Sequence, residues 1–151
     1  MHKVFLGLAV VVSAAAATAA SDQSDVMATV TRFADSFNKG DTAAVAATCA
    51  GETSILDEFP PHEWHGAGAC SRWMNDYNAD AEKNGITDGA VTLDKPTHVD
   101  VSADRAYVVV PANYSFKQRG KPVKETGSIL TVVLKKGEGG WRMIGWSWPK
   151  H

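Results

Sequence analysis

Cysteine is scarce in this sequence, with only Cys49 and Cys70 among 151 residues. They are not arranged as C-x-x-C, which excludes that redox-catalytic motif. Clustered basic charge is equally thin. Lysine and arginine are scattered, and only Lys135 and Lys136 are adjacent. A nucleic-acid surface needs a basic stripe, so no nucleic-acid partner is expected. After residue 20 no apolar run approaches the ~20 residues that a membrane-spanning helix needs. No glycine-rich phosphate-binding loop occurs, so no nucleotide cofactor is expected, and the sequence points to no other. H-E-x-x-H is missing as well, and the chain shows no internal repeat.

What is present begins with an export signal. His2 and Lys3 give a short positive start, Val4 to Val12 are wholly apolar, and Ser13 to Ala20 are small. That order is the layout of a cleavable secretory signal. The expected division is a signal peptide over residues 1–20, cut after Ala20, and one domain over 21–151, secreted or periplasmic. Cleavage removes Lys3 and leaves 14 basic against 17 acidic side chains. In an oxidising compartment a Cys49–Cys70 disulfide can persist. Closing a loop of that length is worth ~3 kcal/mol in the chain-entropy model.

The mature chain patterns as helices followed by strands. Val26, Val30, Phe33, Ala34 and Phe37 recur at helical spacing, predicting a helix over 24–38 capped by Ser24. Asp41 opens a second helix, Thr42 to Cys49, closed by Gly51. Thr53 to Phe59 is a short strand running into Pro60–Pro61. A third helix, about Ala67 to Asn84, turns Cys70, Trp73, Met74, Tyr77 and Ala81 to one side. Strands follow over 91–101, with a bulge at Lys95–Pro96, and over 106–118, 123–136 and 141–148. This is an α+β layout with helices gathered on one face of an antiparallel sheet, a packing that favours a hollow between them.

Several segments carry a family resemblance. They are FNKGD (Phe37–Asp41) before an alanine-rich helix, ILDEFPPHEWHG (Ile55–Gly66) before a helix with Trp73, AYVVVPANYSF (Ala106–Phe116), and SILTVVLKKGEGGWRMIGWSWPK (Ser128–Lys150). In this order the chain resembles the nuclear transport factor 2-like superfamily, in particular its exported SnoaL-like branch. The resemblance implies a cone-shaped, cystatin-like fold. In it a curved antiparallel sheet wraps three N-terminal helices around a central cavity, and pairs of chains often meet through the sheet. It implies no single activity, because the fold hosts isomerases, dehydratases, cyclases and pure binders. The chain also departs from the enzyme patterns. Residues 24–38 contain no tyrosine, no motif surrounds His62 or His98, and the late strands are poor in acids apart from Glu125.

Asp57 and Glu58 precede the prolines, and strand alternation sends them to opposite faces, so at most one enters the cavity. A carboxylate in an apolar pocket has a raised pKa and can act as a general base. Asp57 is the catalytic candidate, with Tyr114 or Trp64 as donor. Its alternative role is to anchor the following turn. Trp64, Tyr77, Tyr114 and Trp148 are the candidate ligand-binding residues, offering apolar bodies with polar tips. Trp146 and Trp148 are expected on one side of the last strand, and Trp141 and Met143 on the other. His62 and His65 stand three apart, but outside a helix that spacing does not make a metal pair, and no metal is expected. Three functions stay open. The first is an exported binder of a small apolar or aromatic molecule. The second is an isomerase, dehydratase or cyclase-type enzyme using Asp57, and the third is a module assembling through its sheet, as a homodimer.

Overall fold

The structure, a computed structural model, describes residues 11–149. Residues 1–10, which hold most of the expected signal's apolar core, and the last two residues lie outside them. Helix α1 spans Val11–Asn38 and α2 spans Thr42–Thr48. Strands β1 (Cys49–Asp57) and β2 (Glu63–Ala67) come next, followed by α3 (Ala69–Asn84). The remaining strands are β3 (Ile86–Leu93), β4 (His98–Ser102), β5 (Arg105–Gln118), β6 (Lys121–Gly137) and β7 (Gly140–Trp148). The sheet order is β2-β1-β7-β6-β5-β3, with β4 also paired to β5.

Three helices against one curved sheet is the expected α+β architecture, with several differences in detail. Helix α1 begins well before Ser24, because the alanines of 14–20 are strong helix formers and nothing breaks the run. Asp41 caps α2 as predicted, accepting from the Ala44 amide at 2.9 Å. The helix stops at Thr48, since Cys49 is already extended and opens β1. The sheet is mixed, not purely antiparallel, because β1 lies parallel to β7. Lys95–Pro96 does more than bulge a strand: it separates β3 from β4. Strand β2 was unforeseen, as its five residues follow the double proline without a clear alternating signal.

The core forms where α1 and α3 press on the concave face of the sheet. Val26, Val30, Phe33 and Phe37 make the buried stripe of α1, and Trp73 and Met74 that of α3. Strands β5 and β6 alternate, with Val108, Val110, Leu130, Val132 and Leu134 turned inward. Strand β7 does not split its tryptophans as alternation predicts. Leu134 pairs with Met143 while Val133 pairs with Gly145, so Ile144 is an extra residue. This bulge resets the phase of the strand. Trp141, Met143, Trp146 and Trp148 are consequently all buried.

Cys49 and Cys70 form a disulfide with Cα atoms 6.5 Å apart. It joins the first residue of β1 to the first turn of α3.

Candidate functional site

Between α1, α3 and the concave sheet lies a pocket of about 130 Å³. Nine of its seventeen lining residues are aromatic, so its walls are chiefly ring faces and edges. Phe33 and Phe37 come from α1, Trp73 and Tyr77 from α3, and Phe59 from the loop after β1. Tyr114 and Phe116 come from β5, and Trp146 and Trp148 from β7. The rings interlock. Trp73 meets Trp146 edge to face with centroids 4.7 Å apart, and Phe37 meets Tyr77 in the same manner at 4.8 Å.

Asp57 is the last residue of β1. Ile55, two positions earlier, is fully buried on the concave side, and the two-residue period sends the Asp57 side chain the same way. Glu58 lines the pocket as well, against the expectation that the pair would point apart. The strand ends at Asp57 and the chain turns, with the His62 amide donating to the Phe59 carbonyl at 2.9 Å, so alternation no longer applies. The Asp57 carboxylate accepts from Trp73 Nε1 at Oδ2 (2.8 Å) and from the Glu58 amide at Oδ1 (2.6 Å). Burial among the rings raises its pKa to about 7. The two hydrogen bonds oppose that shift, and the neighbouring Glu58 carboxylate adds to it. Asp57 thus exchanges its proton near neutrality, where an acid–base group is most useful.

The hydroxyls of Tyr77 and Tyr114 are hydrogen-bonded to each other at 2.5 Å. Burial pushes both phenols above their ordinary pKa. Each keeps its proton, so the pair holds two protons and spends one between its members. Gly89 of β3 makes this meeting possible. A Cβ there would stand 2.6 Å from one hydroxyl and 2.7 Å from the other.

Asp57, Tyr77, Tyr114 and Trp148 thus line one pocket. Trp64 does not. Its indole donates to Asp76 at 2.7 Å and packs against Phe59, with ring centroids 5.1 Å apart. Strand β2 directs it toward α3, not into the pocket. His62, His65 and His98 are exposed. His65 approaches Glu63 and Ser54, and His98 stands against Tyr107. Among the described residues no three His, Cys, Asp or Glu side chains gather as metal ligands. Among the lining residues that sequence reasoning missed is Trp73. Its place on an apolar helix face marks a core residue, and nothing local reveals that its indole nitrogen reaches a carboxylate sixteen residues earlier.

Comparison with known proteins gives the same architecture. The family model described as a SnoaL-like domain matches residues 26–147. A nuclear transport factor 2-like protein with a cystatin-like fold from Novosphingobium aromaticivorans superposes with a TM-score of 0.76 at 16% identity, over 94% of this chain and 90% of that one. A nuclear transport factor 2-like superfamily protein from Salmonella enterica gives 0.73 at 16% identity, over 87% and 92%. A ketosteroid isomerase-like protein from Erwinia carotovora gives 0.62 at 18%, over 86% and 98%. Among curated proteins none matches the sequence. At these identities the likeness is one of fold.

Proposed function

We propose, from the premise that the chain belongs to the SnoaL-like family, that it is an exported protein whose pocket binds a compact aromatic or apolar molecule. The observation that carries this reading is the aromatic box itself. An apolar cavity of ~150 Å³ accepts one benzene-sized ring, and this pocket of about 130 Å³ is of that order. The disulfide suits an oxidising compartment, and no helix among the described residues is long and apolar enough to cross a membrane. Titration of the purified protein with one-ring aromatics, followed by indole fluorescence, tests the reading, since Trp73 and Trp146 form the walls. Saturable quenching that disappears on Phe37→Ala supports it. No response to any ring at millimolar concentration removes it.

A second reading is favoured by Asp57. A carboxyl that titrates near pH 7 beside a hydroxyl pair has the parts for moving a proton on a bound ring and stabilising the charge that develops. The Asp57→Asn protein then binds its substrate and turns it over ~10²–10⁴-fold more slowly. Unchanged turnover excludes Asp57 as the acid–base group. The expected partner for the outer sheet face is a second copy. That face carries Tyr107 beside Val133 and Ile129 beside Pro111, and Tyr107, Val133 and Ile129 are exposed. Sedimentation velocity decides this point, because a monomer at all concentrations excludes it.

A further inference from the structure

The pocket is chemically one-sided in charge. Besides Asp57 and Glu58 its lining includes Asp80 of α3 and Glu125 of β6, and no Lys, Arg or His is among its described lining residues. Asp57, Asp80 and Glu125 arrive from three separate elements and are all half-buried. They are therefore not one exposed acidic run on a solvated surface. Their field reaches the interior, where Asp57 and Asp80 both help raise the pKa of Tyr77, and Glu125 and Glu58 that of Tyr114.

The aromatic walls add to the same preference. A ring face is electron-rich and attracts a cation electrostatically, most strongly where water is excluded. An anionic ligand would be repelled by the Asp80 and Glu125 carboxylates, and a neutral ligand would draw on the rings alone. We propose that the pocket selects compact organic cations, namely amines or quaternary ammonium compounds with an apolar body about one ring in size. This rests on the reading of the pocket as a ligand site and narrows it to one class of ligand.

The proposal carries a pH dependence. The titratable groups facing the ligand are Asp57 and Glu58 at the end of β1, Tyr77 and Asp80 on α3, Tyr114 on β5 and Glu125 on β6. The lining residues of α1, β3 and β7 are all uncharged. Both tyrosines stay neutral through the physiological range, whereas Asp57 changes charge near neutrality. A bound cation favours its ionised form and expels its proton. Cation affinity therefore rises as pH increases through about 7.

The test compares trimethylphenylammonium with its neutral isostere tert-butylbenzene and with benzoate, titrated into the full chain at about pH 8. The expected result is that the cation binds about tenfold tighter than the neutral ring, that benzoate binds weakest, and that the preference shrinks at about pH 6. In the Asp80→Asn/Glu125→Gln protein the preference should drop to about threefold or less while tert-butylbenzene keeps its affinity. Equal or tighter binding of the neutral ring or of benzoate overturns the proposal but leaves the pocket reading intact. A preference that survives the double substitution overturns the role given to these carboxylates. Failure of all three probes to bind overturns both readings.

Discussion

The two faces of the sheet are built from the same strands and do opposite things. On β5 the inward residues Ala106, Val108, Val110 and Ala112 are small and fully buried, while the outward Tyr107 is exposed. On β6 the inward Leu130, Val132 and Leu134 face the helices, while Ile129 and Val133 meet solvent. The concave face places the large rings that enclose the pocket in the C-terminal halves of two strands that run the same way, at Tyr114 and Phe116 on β5 and at Trp146 and Trp148 on β7. The N-terminal halves of these strands form a packing surface, and their C-terminal halves a chemical one. Burial alone does not separate the two, but the polar atoms do. Asp57, Tyr77 and Tyr114 gather only where the rings are.

This contrast can be broken from either side. The largest effect is expected from Trp146→Ala, which removes a ring packed on Phe33 and Trp73. Large aromatic truncations in cores cost ~3–5 kcal/mol, and urea unfolding measures the loss. Next is the Cys49→Ala/Cys70→Ala protein, expected to lose ~3 kcal/mol in the same experiment. Gly89→Ala pushes a methyl against both tyrosine hydroxyls, and overpacking of this kind costs ~1–3 kcal/mol. Its distinguishing readout is tyrosine absorbance in an alkaline titration, where separation of the pair lowers the apparent pKa of Tyr114. The Asp57 effect is spread over pH. Its native pKa is raised from 3.8 to about 7, so the folded state holds a proton that the unfolded chain has released. Stability is therefore fully supported below about pH 4 and falls as pH rises toward 7, by up to ~1.4 kcal/mol per pH unit. Asp57→Asn flattens that slope in thermal melts across pH. The smallest effect is expected on the outer face. Val133→Lys should change monomer stability by less than ~0.5 kcal/mol, and its readout is the sedimentation coefficient.

The fold was largely legible because its signals are local. Periodicity marked the buried faces of α1 and α3, and alternation marked β5 and β6. The parallel entry of β1 beside β7 was not legible, because pairing across some ninety residues leaves no trace in either segment. The site was legible in part. Asp57, Tyr77, Tyr114 and Trp148 stood out as polar-tipped or ionisable residues in apolar surroundings. Trp64 stood out by the same rule and belongs elsewhere, since sequence does not say which carboxylate an indole will find. Asp80 carried no signal in the sequence and Glu125 only that of a lone acid on a late strand, and the folded chain brings both to one hollow.

The extra residue in β7 has a consequence for how this protein tolerates change. Deleting Ile144 would remove the bulge and leave every pairing with the neighbouring strand in place, so Met143, Trp146 and Trp148 would stay on the concave side. Deleting Ser147, where the strand alternates regularly, would instead carry the Trp148 indole to the outer side and take away part of the pocket wall. In a deletion scan this strand should therefore tolerate the loss of its bulged residue far better than the loss of a regularly paired one.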